Sequence, residues 1–256
     1  MKHSIEGKVV LIGGGAKNLG GLIARDFAEH GAEAIVIHYH SESSKTAAEE
    51  TAEAVQQLGA KTHIVQGDLT RTDEMARLFS EAKTTFGRVD IAINTTGMVL
   101  KKPMTETTEA DYDKMFAINT KAAFFFMKEA GSALSDNGKL LTLVTSLLGA
   151  YTPFYATYAG AKSPIEHFTR AASKEFGERG ISVTAVGPGP MDTPFFYGQE
   201  SEDAQAYHKS AAALSEFSKT GLTDIEDIVP LIRFLVTDGW WVTGQTLLAN
   251  GGYTTK

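Results

Sequence analysis

Val9-Val10-Leu11-Ile12-Gly13-Gly14-Gly15-Ala16-Lys17-Asn18-Leu19-Gly20-Gly21 passes from an unbroken apolar run directly into a glycine-rich turn. A short apolar run bounded by glycine reads as a buried strand, and a helix-like segment begins near Leu19. Strand, glycine turn and helix in succession place free backbone N–H groups and the positive end of a helix dipole at one spot, where a phosphate binds well. Two familiar glycine signatures fail here. Gly15 and Gly20 have the spacing of the G-x-x-x-x-G-K-[ST] loop, but Gly21-Leu22 follow, without its lysine or its hydroxyl. Gly13 and Gly15 open G-x-G-x-x-G, and Asn18 breaks it. The spacing that fits is G-x-x-x-x-x-G from Gly14 to Gly20, enclosing Asn18. Asparagine is the non-glycine residue that best tolerates left-handed backbone angles. Taken alone, the loop is equally an ordinary tight turn.

The pattern beyond it is regular. Strand-like runs are expected at 8–13, 34–39, 62–66, 89–94, 139–145, 181–186 and 245–248, with helical segments near 19–30, 43–58, 72–86, 108–131, 156–178 and 225–237. Apolar strands alternating with helices predict an α/β fold: a doubly wound, parallel, seven-stranded sheet of Rossmann type, with helices on both faces. Nothing in composition marks a linker, so residues 1–256 are expected to form a single domain. Ligands of such sheets bind beyond the carboxyl ends of the strands, which makes the residues after each strand the informative ones.

Bulk composition narrows the function. A net charge of −7 argues against a nucleic-acid or anionic-membrane surface. The absence of cysteine removes disulfides and thiolate metal sites and fits a reducing compartment. The first apolar run leads into the glycine turn, as a first strand does and a signal peptide does not. A soluble, cytoplasmic protein is expected. Phe124-Phe125-Phe126 cannot all face the sheet from one helix; a core face backed by a subunit interface, or a crowded core, would each account for them.

Tyr158 and Lys162 stand four apart in a helical segment and so share a face. A free tyrosine has a pKa of about 10, and lowering it by about 3 units requires roughly 4 kcal/mol. An ammonium about 4 Å away supplies about that much at an effective dielectric near 20. The pair is sufficient for proton exchange near neutrality, although a surface pair has the same spacing. Ser146 closes the fifth strand, where its hydroxyl could meet a carbonyl oxygen or merely cap a turn. Asn119 falls mid-helix, where asparagine is a mediocre helix former; it either bends the helix, binds water, or is tolerated on the surface. Asn94-Thr95-Thr96-Gly97 follow the fourth strand, and Pro188-Gly189 with Thr193 follow the sixth.

In that order the motifs resemble the short-chain dehydrogenase/reductase family over essentially the whole chain. The family's T-G-x-x-x-G-x-G corresponds to Gly13–Gly20 and its N-N-A-G to Asn94-Thr95-Thr96-Gly97. Its aspartate after the third strand corresponds to Asp68, its Y-x-x-x-K to Tyr158 and Lys162, and its P-G…T to Pro188, Gly189 and Thr193. The resemblance implies a nicotinamide cofactor and a catalytic tetrad of Asn119, Ser146, Tyr158 and Lys162. It implies a pyrophosphate at Gly14, Lys17, Asn18, Leu19 and Gly20, and an adenine beside Asp68 and Leu69. The adenosine ribose would pass Asn94, Thr95 and Gly97, and the carboxamide would lie near Pro188, Gly189, Met191 and Thr193. Tyr158 would move the proton, Lys162 would bind the nicotinamide ribose and depress the tyrosine pKa, Ser146 would hold the alkoxide, and Asn119 would hold a water. The Ser146-to-Tyr158 interval is one residue shorter than the family's, which leaves Thr145 as the fallback hydroxyl.

The second strand ends in His38-Tyr39-His40-Ser41 rather than in the acid that an NAD site wants for the ribose hydroxyl. With Lys17, these donors predict NADP(H) over NAD(H); Glu42 and the lack of an arginine weigh the other way. His38 and His40 lack a third ligand, so no metal is expected. Residues 191–221 correspond to the family's variable substrate loop, and Phe195, Phe196, Tyr197 and Tyr207 suggest an apolar or aromatic carbonyl compound. The strand ending is similar to that of pteridine reductases, and the overall form to 3-oxoacyl-carrier-protein reductases. The expected activity is carbonyl–alcohol interconversion in a homodimer or homotetramer. Two rivals stand beside it: an enoyl reductase using Tyr155, seven residues before Lys162, and a non-catalytic NADP-sensing module.

Overall fold

The apolar runs form the strands that their composition predicts. In the computed structural model, which describes residues 3–255, the order is β1 (Val9–Gly13), α1 (Asn18–Glu29), β2 (Ala34–Tyr39), α2 (Lys45–Gln57), β3 (Lys61–Gln66), α3 (Thr72–Phe86) and β4 (Val89–Asn94). Next come α4 (Glu109–Phe116), α5 (Ala122–Ala133), β5 (Leu134–Leu143), α6 (Ala156–Glu175) and β6 (Ser182–Pro188). The short α7 (Pro194–Tyr197), α8 (Glu202–Ala211), α9 (Ile225–Val236) and β7 (Thr246–Ala249) complete the chain. One parallel sheet of seven strands runs β3-β2-β1-β4-β5-β6-β7. Because β1 pairs with both β2 and β4, the winding reverses there and opens a crevice at their carboxyl ends.

Strand side chains alternate between two cores. Val10, Ile12, Ile35, Ile37 and Ile93 pack with Ile23, Phe27, Val55 and Ile232 of α1, α2 and α9. Leu11, Val36 and Ala92 pack on the opposite face with Leu78, Phe126 and Ile165 of α3, α5 and α6. Phe126 takes the core, while Phe124 is exposed and meets Phe168 edge-on at 5.2 Å.

Three local differences from the periodicity matter. The strand expected at 139–145 starts at Leu134, because the 135–138 segment is a register irregularity between Val89 and Ile91, with Asn137 at φ +64°. It ends at Leu143, so Thr145 and Ser146 leave the sheet; Thr145 caps a 3₁₀ turn over Ser146–Leu148 by accepting from the Leu147 N–H. The helix expected over 108–131 is broken by a π turn at Ala117–Lys121, which carries Asn119. The substrate-loop segment contains α8, capped by the Ser201 hydroxyl. Among the described residues no helix is long and apolar enough to cross a membrane.

Candidate active site

The glycine turn between β1 and α1 is shaped by close backbone approaches. Gly14 adopts φ +77° and Asn18 φ +50°, so the asparagine occupies the left-handed region that its side chain tolerates. A Cβ at Gly20 would lie 2.3 Å from the Gly14 carbonyl oxygen and 2.9 Å from the Thr95 hydroxyl. That contact is with backbone and cannot relax by a side-chain rotation. Gly20→Ala is therefore expected to cost about 1–3 kcal/mol through overpacking, which for a chain of this size lowers Tm by several degrees. Thermal melting checks this; an unchanged Tm would mean that the turn has room. The Thr95 hydroxyl donates to the carbonyls of Gly13 at 2.8 Å and Gly14 at 3.2 Å, tying the loop after β4 to the turn.

His38 has a different place from the one expected of it. Its Nδ1 accepts from the Gly14 N–H at 3.1 Å, which puts the ring proton on Nε2, 2.9 Å from the Gly67 carbonyl. Burial pushes its pKa down to about 4. Both ring nitrogens are engaged and the ring is neutral, so His38 braces the turn instead of offering a donor to a phosphate. The Ser41 hydroxyl pairs with Ser43 at 2.9 Å, and Ser44 lines the cleft in its stead. Lys17, Tyr39 and His40 line it, as does His38. Glu42, on the same rim, is paired with Lys45 at 3.3 Å.

A cleft of ≈ 640 Å³ opens at this crevice. Gly14, Asn18, Leu19 and Gly20 lie at one end, Asp68, Leu69, Thr95 and Gly97 along its side, and Tyr158, Lys162, Pro188 and Met191 at the other end. Phe195, one of the substrate-loop aromatics, lines it as well, as do Lys114 and Ile118, which follow no strand and carry no signal in the sequence. Asn94 is buried beneath, accepting from the Thr96 N–H at 3.0 Å and the Thr96 hydroxyl. Asp68 accepts from the Thr70 N–H at 2.9 Å and hydroxyl at 2.7 Å, which fixes its carboxylate at the cleft wall. Thr193 is buried at the N-terminus of α7.

The reactive groups converge where this cleft meets a second, smaller cavity of ≈ 100 Å³; Val144, Tyr158, Pro188, Met191 and Phe195 line both. Helical spacing puts Tyr158 and Lys162 on the buried face of α6. The Lys162 ammonium donates to the carbonyls of Leu143 at 2.9 Å and Thr96 at 3.4 Å. Burial pushes Lys162 down to about 8 and Tyr158 up to about 12. The tyrosine is a protonated phenol at neutrality, held so by desolvation, and the depression expected from the lysine does not prevail in this arrangement. Asn119 accepts from the Met98 N–H at 3.1 Å and donates to the Met98 carbonyl at 2.8 Å. Its oxygen and the Lys162 ammonium would each sit 3.0 Å from a Cβ at Gly97, so both crowd that glycine.

Thr145 and Ser146 both line the small cavity with Tyr158, and it is the Thr145 hydroxyl that pulls against the upward shift of the phenol. Because Thr145 Oγ1 already accepts from the Leu147 N–H, its own proton is free to point at the phenol. Ser146 instead donates to the Gly187 carbonyl at 3.1 Å and accepts from the Asn250 amide at 3.0 Å. The second cavity holds Tyr155, Glu200, His208 and Tyr253 on its far wall.

Comparison with known proteins agrees with this arrangement. A family model described as enoyl-(acyl carrier protein) reductase matches residues 14–254. A short-chain dehydrogenase of Oenococcus oeni is 49% identical, with 99% of each chain covered and a TM-score of 0.77. The chain belongs to the short-chain dehydrogenase/reductase family. A protein of Burkholderia cenocepacia in that fold, solved with bound NADP, is 70% identical over 99% of this chain and 96% of its own, with a TM-score of 0.98. The hydroxynaphthalene reductase-like protein Arp2 of Metarhizium brunneum is 34% identical, covering 99% of this chain and 97% of its own. Within this short-chain dehydrogenase/reductase, the serine assigned by motif at position 146 is occupied by Gly187 and Asn250, and the shortened interval to Tyr158 brings residue 145 to the phenol. The motif's Ser146 and the fallback Thr145 both line the small cavity, and substitution decides which of them serves the reaction.

Proposed function

We propose that the protein reduces a carbonyl compound to an alcohol with NADPH, using Tyr158 as the acid. The observation that carries this reading is a buried, protonated phenol, with the Thr145 hydroxyl nearby, at the mouth between a dinucleotide-sized cleft and a small adjoining cavity. The glycine turn fits a pyrophosphate, since Gly20 leaves no space for a Cβ and the N-terminus of α1 faces the cleft. No acid ends β2, Lys17 lines the cleft, and Glu42 is held by Lys45, which together favour the 2′-phosphate form. The relative from Burkholderia cenocepacia, solved with NADP, supports the same choice.

When bound, the reduced nicotinamide supplies the hydride. Tyr158 donates its phenolic proton to the carbonyl oxygen as charge builds there, and the Thr145 hydroxyl donates a hydrogen bond to the same oxygen. Lys162, shifted to about 8, stands ready to return a proton toward the phenolate. Asn119 fixes the Met98 backbone beside that lysine. Apolar residues Val99, Leu147 and Phe196 keep the small cavity dry around the substrate.

The description of the matching family model names enoyl reductases, a reading that needs Tyr155 as donor. Here the Tyr155 hydroxyl donates to the Glu200 carboxylate, and burial followed by that carboxylate raises its pKa. The proton is committed away from the substrate. The exposed Phe124 of α5, which meets the half-buried Phe168 of α6, favours a homo-oligomer assembled through those helices.

The test is a panel of ketones, aldehydes, quinones and conjugated enones, followed by NADPH absorbance. Carbonyl reduction is expected, faster with NADPH than with NADH. Consumption of enones alone, abolished by Tyr155→Phe and kept by Tyr158→Phe, would overturn the reading.

A further inference from the structure

The far wall of the small cavity carries a buried polar network that the reduction itself does not use. Glu200, in the loop before α8, has a side chain only 1% exposed. One carboxylate oxygen accepts from the Tyr155 hydroxyl, and the other pairs with Lys101 from the loop after β4. His208 of α8 places Nε2 3.5 Å from the oxygen that Tyr155 also bonds. On its other side, Nδ1 of His208 is 3.3 Å from the Tyr253 hydroxyl, which in turn lies 3.2 Å from the Thr152 hydroxyl. Tyr155, Glu200, His208, Tyr253 and Thr152 all line the cavity together with Thr145 and Tyr158.

The direction of the protons can be worked out. Burial lowers the His208 pKa from 6.5, so the ring is neutral at pH 7 and carries one proton. The carboxylate demands that proton on Nε2, so Nδ1 accepts from Tyr253, and Tyr253 accepts from Thr152. Tyr155 and Lys101 also point their protons at Glu200. Every donor in the network is thus spent on the carboxylate or on the chain leading to it. What remains toward the cavity is acceptor capacity: the lone pairs of the Tyr155 oxygen and the carboxylate's unfilled positions. Lys101 neutralises Glu200 but does not line the cavity, so the wall itself shows an oxygen-rich face without a free donor.

Such a wall accepts hydrogen bonds and repels anions. The Tyr155 and Tyr158 rings meet edge-on, with centroids 6.1 Å apart, so both hydroxyls belong to one small cavity. Val99, Leu147 and Phe196 supply the apolar middle. The volume, ≈ 100 Å³, is on the order of a cavity that takes up benzene. Resting on carbonyl reduction at Tyr158, we infer that the preferred substrates are small hydroxyketones: one ring or short branched chain, with a hydroxyl opposite the reacting carbonyl that donates to the Tyr155–Glu200 wall. Carboxylated ketones of the same size are excluded, because the wall offers a carboxylate no free donor.

A hydrogen bond to a charged acceptor contributes about 1.5–3 kcal/mol, which corresponds to about 10- to 100-fold in kcat/KM. The experiment compares cyclohexanone, 4-hydroxycyclohexanone and 4-oxocyclohexanecarboxylate in the wild type and in Glu200→Gln and Tyr155→Phe, with NADPH binding followed by fluorescence. The wild type is expected to prefer the hydroxyketone about 10- to 100-fold over cyclohexanone and to turn over the keto acid least. Both variants are expected to bring the hydroxyketone-to-cyclohexanone ratio toward one, and Glu200→Gln to admit the keto acid. Tyr155→Phe keeps the ring and its packing, so it reports even where Glu200→Gln unfolds the loop. Equal kcat/KM for hydroxyketone and cyclohexanone in the wild type, or a preference untouched by both variants, overturns the proposal and leaves carbonyl reduction standing. Bound NADPH with no turnover of any of the three, nor of the wider carbonyl panel, removes the underlying reading and this one with it.

Discussion

Tyr158→Phe is expected to lower kcat by about 10²–10⁴-fold, the usual contribution of a positioned acid, with NADPH affinity retained. The substitution removes one oxygen and keeps the ring that lines both cavities. Burial holds the phenol near 12, so at neutral pH it is a proton donor whose only loss in the variant is that proton. Single-turnover absorbance with preloaded NADPH separates the two quantities. A Tyr158→Phe enzyme that reduces ketones at the wild-type rate would remove the tyrosine from the mechanism; loss of NADPH binding would make its role structural. The pH profile adds a sign. Lys162 near 8 is charged below that value and neutral above it, so reprotonation of Tyr158 is expected to weaken as pH rises through about 8.

The second large effect separates two neighbouring hydroxyls. Thr145→Ala is expected to reduce kcat by about 10²–10³-fold, as loss of one donor to a developing oxyanion does. Ser146→Ala is expected to leave kcat nearly unchanged and to lower stability by about 1 kcal/mol. Ser146 is a structural link between the Gly187 carbonyl and the Asn250 amide, whereas Thr145 faces the phenol. Thr145→Ser should restore most of the rate, because it returns the hydroxyl without the methyl. Steady-state kinetics of the three variants with melting curves decide it. The opposite pattern, with Ser146→Ala inactive and Thr145→Ala active, would restore the motif assignment.

The fold was legible because its information is local. Val9–Gly13, Ala34–Tyr39 and Val89–Asn94 are mostly apolar and buried throughout, as strands covered on both faces must be, and each forms where composition puts it. The Tyr158–Lys162 spacing was legible for the same reason: helical geometry alone brings the two to one face. What the sequence could not carry were contacts between segments far apart in the chain. His38 looked like a free donor because nothing in its own strand reveals Gly14 on one ring nitrogen and Gly67 on the other. The choice between Thr145 and Ser146 depends on where β5 ends, and that is set by pairing with β4 and by a cap within the turn. The Glu200 network was invisible because it joins the loop after β4, the start of α6, α8 and the C-terminal segment. α8 lies within the 191–221 substrate-loop segment, and its mostly polar run gives no strong helical signal.

One hydrogen bond bears on how relatives of this chain are found. The family's glycine motif opens with a threonine, and this chain has Gly13 there; its N-N-A-G has a second asparagine, and this chain has Thr95. A side chain at 13 would run into the Phe126 ring, 3.0 Å from a Cβ, while the Thr95 hydroxyl reaches back to the Gly13 carbonyl. The two loops are stitched by the side chain of residue 95 to the backbone of residue 13. A fingerprint keyed to threonine at the first position would pass over proteins wired this way, whereas one that treats positions 13, 95 and 126 as a unit would collect them. In redesign the same three positions have to be exchanged together, since restoring the threonine alone would meet the phenylalanine first.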